Sequence, residues 1–548
     1  MRAVWRFAIG IAALGPLLGG AVDAQQADVI RGQVLAEDGE PVVRAGIQVR
    51  SIPSNIARST TTDATGRYAI TYANGEGDYW ISVTAIGFTP RRFELKRLAD
   101  EQVLIGNVKL VRSGVVLDAV EVQGARVRPG RSGELDVTGT EKTLVATGGD
   151  PTQAGSLAAL AAGAPGVQLI PGAEGNPDQF SVFGLSGDQN NATLNGLSFG
   201  GADVPRDAAT RAMLGTSPWD VARGGFSGGQ ISLSTQSGSN FSARSLSSLL
   251  NGPGLQWTDR AGRALGAEYA SASVGAAMSG PIELDKAFYG IGFQFDRRMS
   301  DMSNLAVANP FALKLAGVAA DSVARLATIM TQLGIPRVAP GLPALRSSDR
   351  GLLLASIDLA PATSTSGQAL NVTAAGSFTR LSSPFAQVTG FPTNDAKSLS
   401  WFGSGQLRHT NYFAAGVLSE SSLGVTASNM STDPYLAMPN GAVRVASALD
   451  DGSTGVTGLS FGGSQTQQTS TANVAATGQN QLSWFSRNSR HRIKLTSSLR
   501  YETSAQDFSA NRLGTFRYNS LSDLEQNLPG SFTRVLSDRV RTSDQVIA

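Results

Sequence analysis

The 548-residue chain is predicted to be mainly β: a small N-terminal β-sandwich, a mixed α/β middle, and antiparallel strands of a transmembrane β-barrel represented in part. Three observations predict this class. Stretches of the C-terminal half alternate apolar and polar residues at period two, the repeat of a strand with two unlike faces. The connections between those stretches alternate short and long, as tight turns on one side of a membrane and long loops on the other require. Composition agrees: Gly is 63 of 548 residues and 16% of the chain is charged, against roughly 25% in an ordinary soluble protein.

The same counts narrow the chemistry. With no Cys there is no disulfide, thiolate metal site or thiol nucleophile. The two histidines, His409 and His491, are far apart in sequence, which argues against a zinc hydrolase or a His-based triad. A net charge of +2, from 45 basic and 43 acidic residues, makes no electrostatic case for nucleic acid. Apolar content of 41% can build a core. No motif supplies a nucleophile, a base and an oxyanion site, so neither catalysis nor a cofactor is expected.

Residues 1–24 read as a secretory signal. Arg2 and Arg6 give the positive start, residues 7–18 the apolar run, and Val22-Asp23-Ala24 the small-residue site, with cleavage expected after Ala24. The apolar run is shorter than the roughly 20 residues that span a bilayer. No later 18-residue apolar stretch follows, so no transmembrane helix is expected.

Residues 28–112 carry short alternating runs separated by turn residues: 29–35, 46–51, 67–72, 79–86, 93–95 and 103–110. Glu37-Asp38-Gly39-Glu40-Pro41, Asp63-Ala64-Thr65-Gly66 and Asn74-Gly75-Glu76-Gly77 supply turns. This spacing predicts an antiparallel sandwich of about seven strands. Gly32-Gln33-Val34, Gly39-Glu40-Pro41-Val42, Thr62-Asp63, Gly66-Arg67-Tyr68, Val83 and Gly87-Phe88 together resemble the carboxypeptidase-regulatory-like domain. That module is similar to an accessory domain of some carboxypeptidases and not to their catalytic part. No His and Glu are spaced as zinc ligands.

Residues 113–134 form a linker with a β-prone core, Val115 to Val122, followed by Gly124, Arg126, Arg128, Pro129, Gly130 and Arg131. On physical grounds this core serves equally as the last strand of the sandwich or as a strand offered to a partner's open sheet edge. Leu117-Asp118-Ala119-Val120-Glu121-Val122 resembles a TonB box, with Ala119 where Glu is common and Glu121 interrupting the apolar run. Backbone pairing tolerates both departures.

Residues 135–240 combine an Ala/Leu-rich helix candidate at 156–162 with a hairpin signal, Asn195-Gly196 between Thr193-Leu194 and Leu197-Ser198. A Gly-rich stretch follows at 223–229, then Thr235 to Asn240. The glycines lack a Gly-Lys-Ser/Thr ending and do not open a helix, which argues against nucleotide binding. The order of these pieces resembles the plug domain of TonB-dependent outer-membrane receptors, in particular the Oar-like group, with Asn195 standing where that hairpin usually has Asp.

From 241 to 548 the alternation recurs. Tyr289, Ile291, Phe293 and Phe295 oppose Phe288, Gly290, Gly292, Gln294 and Asp296. Leu370, Val372, Ala374 and Phe378 oppose Asn371, Thr373, Ser377 and Thr379; Ile493, Leu495, Leu499 and Tyr501 oppose Arg492, Lys494, Thr496, Ser498, Arg500 and Glu502. Short connections are expected near 279–286, 360–368, 408–412 and 486–490, and long ones near 251–267, 299–350, 381–397 and 431–470. A helix with Val323, Leu326, Met330 and Leu333 on one face, capped by Asp321 and ended by Gly334 and Pro336, is read as packing its own loop, the alternative being contact with substrate at the outer mouth. Tyr289, Trp401, Trp484 and Tyr501 suit membrane interfaces. About nine strands are counted to Glu502, against about 22 in plugged transporters. Residues 537–548 are polar, so the chain reads as the N-terminal part of a longer protein or a truncated one.

The resemblance implies a TonB-dependent receptor of the bacterial outer membrane. TonB, driven by an inner-membrane energising complex, would pair with Leu117 to Val122 and rearrange the plug, and an unidentified extracellular ligand would pass. Outer-membrane lipid would surround the wall. An adhesion or structural protein on the same scaffold would use the outer loops without import. A secreted all-β binding protein would need no membrane.

Overall fold

The computed structural model describes residues 27–72, 77–97, 103–112, 141–144, 155–170, 178–201, 203–208, 210–215, 228–236, 238–360, 368–385, 387–413, 416–448, 454–464, 469–485, 492–508, 511–536 and 540–547. The expected secretory signal lies outside these residues.

The N-terminal strands are β1 (Asp28–Ala36), β2 (Gly46–Ser51), β3 (Ala57–Thr61), β4 (Arg67–Tyr72), β5 (Tyr79–Thr84), β6 (Arg91–Leu95), β7 (Val103–Ile105) and β8 (Val108–Leu110). They form two sheets, β4-β1-β7 with β8 also on β1, and β3-β2-β5-β6. Alternate residues from both sheets meet in a core where Ile30, Val34, Ile47, Val49, Ile70 and Ile81 are almost wholly buried. Three details differ from the expectation. β3 was not anticipated, because Ala57-Arg58-Ser59-Thr60-Thr61 has no apolar alternation; it forms by pairing with β2. The single strand expected over 103–110 breaks at Gly106, whose carbonyl accepts a 2.7 Å hydrogen bond from the buried Tyr68 hydroxyl. Both β7 and β8 pair parallel to β1, so this sheet is mixed and not purely antiparallel.

The middle region comprises β9 (Glu141–Leu144), α1 (Leu157–Ala162), β10 (Val167–Ile170), β11 (Gln179–Val182), β12 (Asn191–Leu194), β13 (Leu197–Ser198), β14 (Thr210–Gly215) and β15 (Gln230–Thr235). α1 starts where the Ser156 hydroxyl accepts from the Ala159 amide, and Gly163 closes it. The larger sheet runs β13-β12-β15-β14-β9. β12 and β13 make the expected hairpin; Asn195 (φ 49°) and Gly196 (φ 88°) adopt the left-handed geometry of a type I′ turn.

The C-terminal half supplies β16 (Ala243–Asn251), α2 (Arg260–Ala264), β17 (Tyr269–Glu283), β18 (Ala287–Asp301), α3 (Pro310–Leu315), α4 (Ala320–Gln332), β19 (Leu345–Leu359), β20 (Ala369–Leu381), β21 (Ala396–Phe413) and β22 (Val417–Pro434). Next come β23 (Asn440–Ala448), β24 (Thr454–Gly462), β25 (Thr469–Phe485), β26 (Arg492–Phe508), β27 (Thr515–Tyr518), α5 (Leu521–Glu525), β28 (Ser531–Thr533) and β29 (Val540–Ile547). Ten of the strands form one antiparallel wall, ordered β16-β17-β18-β19-β20-β21-β22-β25-β26-β29. Among the described residues its outermost strands, β16 and β29, do not pair with each other.

The wall is polar where buried and apolar where exposed. Gln294, Thr373, Gln406, Glu420, Ser422, Gln479 and Gln481 are buried; Ile291, Phe293, Leu353, Val372, Trp401, Leu423 and Leu495 are exposed. On β21 the outward file Leu399, Trp401, Gly403, Gly405 and Leu407 is bracketed by exposed Lys397 and His409. That separation of about twelve residues, at roughly 3.3 Å each and tilted by about 40°, spans about 30 Å and frames an apolar band about 25 Å tall.

Connections at one end are short: 284–286, 360–368, 414–416 and 486–491. The turn expected at 408–412 lies further on, because β21 continues through Phe413, which pairs with Val417. Connections at the other end are long, and they fold together. β24-β23-β27-β28 form a sheet over which α4 and α5 pack, with Leu326, Ile329, Met330, Phe391, Val443, Leu459, Phe461 and Leu524 in one core. This outer cap corrects the reading of α4 as packing only its own loop. Asp321 sits in the first turn and not at the cap, Ile329 is buried, and Leu333 is exposed.

Candidate functional site

The middle region is seated against the polar face of the wall. At the hairpin tip the Asn195 Nδ2 donates to Thr373 Oγ1 on β20 at 2.9 Å, and Gln479 Nε2 on β25 donates to the neighbouring Gly196 carbonyl at 3.5 Å. β20 and β25 lie three spacings apart in the wall, roughly 14 Å if it were flat. The same middle region also reaches β16, where Arg206 Nη2 donates to Ser247 Oγ at 2.6 Å, and β21, where the Phe199 ring lies 5.3 Å from that of Phe402, so the wall curls round it. Asn195 Oδ1 accepts from the Thr235 amide at 2.9 Å, which ties the hairpin to β15. An aspartate here could accept from Thr235 but could not donate to Thr373.

A second tether joins the middle region to β18 and β19. Arg350 reaches Asp203 Oδ2 at 3.1 Å and Asp296 Oδ2 at 2.8 Å, with all three side chains largely buried. Gln294 donates to both Asp296 oxygens at 3.0 Å and accepts from the Arg206 amide at 2.9 Å. Burial pushes the Asp203 carboxyl above its ordinary range, and Arg350 acts against that rise. Nothing in the sequence marked this cluster beyond charges at 296 and 350 on the polar files of a chain poor in charge.

At the short-turn end three parts of the chain meet. Phe288, the second residue of β18, is 1% exposed and belongs to the sandwich core cluster. Gly238, near the end of the middle region, lies so close that an added Cβ would sit 2.1 Å from Phe288 Cβ. Ala27 and Val29 of the sandwich cluster with Tyr412 near the end of β21 and Leu418 near the start of β22. Asp285 Oδ1 in the 284–286 turn accepts from the Ala57 amide and from Asn240 Nδ2, each at 2.7 Å.

The six residues proposed from sequence as the partner-binding strand, Leu117, Asp118, Ala119, Val120, Glu121 and Val122, lie outside the described residues. The described positions that flank them are Arg112, just after β8, and Glu141, the first residue of β9 on the edge of the middle sheet. Among the described residues no group of three His, Asp or Glu side chains is placed to hold a metal ion. No described helix is long and apolar enough to cross a membrane, which says nothing of strands.

These features define a class: an antiparallel β-wall, apolar outside and polar inside, curled round a folded α/β domain, with a β-sandwich at its short-turn end. Residues 29–111 match the family model of the carboxypeptidase regulatory-like domain. No curated protein matches the chain. Among solved structures, the outer membrane transporter YddB from Escherichia coli is 11% identical, with 72% of this chain and 51% of that chain covered and a TM-score of 0.48. A mutant of the ferric enterobactin receptor PfeA from Pseudomonas aeruginosa is 14% identical, covering 66% and 48%, with a TM-score of 0.41. The siderophore receptor PirA from Acinetobacter baumannii is 12% identical, covering 65% and 46%, with a TM-score of 0.40. The chain thus spans about half the length of these structures.

Proposed function

We propose that the chain is a TonB-dependent receptor of the bacterial outer membrane, of the Oar-like kind, that imports an extracellular ligand by energised rearrangement of the middle region acting as a plug. One observation carries the membrane part: the wall exposes Phe293, Leu423 and Leu495 and buries Gln294, Gln479 and Gln481. Water would favour the reverse, whereas lipid outside and a polar lumen inside favour this arrangement. A folded domain tied to the polar face by hydrogen bonds and one ion cluster supports the plug reading, since such contacts can be exchanged for water when the domain moves. In this reading residues 113–134 are the linker, and Leu117 to Val122 pair through their backbone with an edge of TonB. In this reading the ligand meets the outer cap, in which no group of three His, Asp or Glu side chains is placed for a metal among the described residues.

The test is binding of a purified TonB C-terminal domain to a peptide of residues 113–128, beside the same peptide with Val120→Pro. Proline removes a backbone donor and obstructs strand pairing. Binding that the proline version lacks is expected. No binding by the native peptide would overturn the energised-import reading and favour an adhesion role for the same scaffold.

A further inference from the structure

The junction at the short-turn end carries two opposed features. It is held together by directed bonds. The Ser54 carbonyl accepts from the Asn240 amide and from the Ser239 hydroxyl, each at 3.1 Å, and the Asn55 carbonyl accepts from Asn240 Nδ2 at 2.9 Å. Asp285 bridges Asn240 to Ala57, and its own amide donates back to Asn240 Oδ1 at 3.0 Å. The segment leading out of the plug is therefore gripped between the β2–β3 turn of the sandwich and the first short turn of the wall.

The same seam buries a charge that these bonds do not satisfy. Arg58 on β3 is 5% exposed and lines a cavity of about 40 Å³ between sandwich and wall. Among the described residues its Nε and Nη1 have no hydrogen-bond partner. Its guanidinium lies over the Tyr72 ring at 5.1 Å. The neighbouring carboxylates are already engaged: Asp285 by Ala57 and Asn240, Asp358 by the Gly238 amide at 3.2 Å and Asn371 Nδ2 at 2.6 Å. Arg408, on the far side of the cavity, is paired with Glu420. A cavity of this size holds about three waters, too few to replace bulk hydration of a guanidinium. Burial accordingly lowers the pKa of Arg58, with Tyr72, Tyr79 and Asp285 acting the other way.

We propose that the sandwich is a releasable latch on the short-turn end of the wall: docked, it clamps Ser239 and Asn240 at the plug exit, and the buried, under-bonded Arg58 biases it toward release. Undocking returns Arg58 to water and removes the sandwich's bonds to Ser239 and Asn240, leaving the bonds to Asp285 and Asp358 of the wall, so sandwich position and plug-exit freedom are coupled. The inference is independent of which partner residues 117–122 meet.

Hydrogen exchange on the full chain in lipid vesicles reads the latch directly, because exchange of the Ala57 and Asn240 amides reports seam opening. Arg58→Met keeps an unbranched apolar stem and removes the guanidinium with its charge. It is expected to slow exchange at both amides about tenfold, the factor that corresponds to relieving one buried unsatisfied polar group. Asp285→Ala is expected to speed both by a similar factor. The amides of β2 and β5 inside the sandwich serve as the control and are expected to hold their rates in both variants. Unchanged or faster exchange at Ala57 and Asn240 in Arg58→Met, with the control amides steady, would overturn the proposal. So would Asp285→Ala changing one seam amide without the other. If Arg58→Met also loosens the control amides, Arg58→Lys replaces it; slower seam exchange in Arg58→Lys would then overturn the proposal, since a compact ammonium is costlier to bury.

Discussion

The sandwich and the wall use the same period-two alternation for opposite ends. In β5 the residues Tyr79, Ile81 and Val83 are buried, and in β18 Ile291, Phe293 and Phe295 are exposed while Gln294 is buried. Alternation therefore defines two faces without saying which faces inward. What decides is the surroundings: a second sheet lies over the apolar face of β5, and a polar folded domain lies over the polar face of β18. The difference teaches that a strand pattern must be read together with what its neighbours can cover.

Substitutions can break or sharpen this contrast. The largest effect is expected for Ile81→Ala, which empties a fully buried site between the two sandwich sheets. It should cost about 2–5 kcal/mol, measured by hydrogen exchange of the β5 amides. Phe293→Arg places a charge on the outward band of the wall. A loss of about 2–4 kcal/mol is expected on refolding into vesicles from denaturant; a change near zero would mean that this face is wet and the contrast false. Asn195→Asp removes the donor to Thr373 and buries a carboxylate at a 4%-exposed site. About 1–3 kcal/mol of destabilisation is expected, seen as faster exchange at the Thr235 amide, whereas Asn195→Asp with Thr373→Val should recover part of it.

The smallest effect is at Asp63, on the sandwich surface. Slight burial pushes its carboxyl up, but hydrogen bonds from the Arg67 amide and from the hydroxyl and amide of Thr65, with the Arg67 charge, hold it below the ordinary range. A depressed carboxylate stabilises the fold above its unfolded pKa, near 3.9, and that contribution is lost as pH falls through the folded value. Protection of the Arg67 amide should therefore exceed that of Asp63→Ala by a constant factor at neutral pH, and the two should converge only once the pH has fallen through the folded value, which lies below about 3.9. A difference that persists there would assign the effect to turn shape alone.

Much of the architecture was legible because it rests on local rules. The faces of β18, β20 and β26, the Ser156-capped helix and the Asn195-Gly196 turn follow from residues within a few positions of one another. What was missed depends on distant partners. β3 is a strand only because β2 offers an edge, and its Arg-Ser-Thr-Thr run advertises nothing. β23 carries a pattern, Val443 and Val445 alternating with Ala442, Arg444 and Ala446, inside the stretch 431–470 that the sequence marks as a long connection. The Asn240–Asp285–Ala57 bridge and the Arg350 cluster join residues far apart in the chain, so only topology brings them together.

The outer cap has a consequence for how a ligand would be felt. Its core draws on four separate connections, and the Arg325–Glu525 pair at 2.8 Å closes a span of 200 residues. Loops that share one core cannot flex singly: shifting α4 disturbs Val443, Phe461 and Leu524 at once. The mouth is thus a cooperative unit with few discrete arrangements, more like a keystone arch than a ring of independent fingers. A displacement of any one loop is therefore shared with the other three.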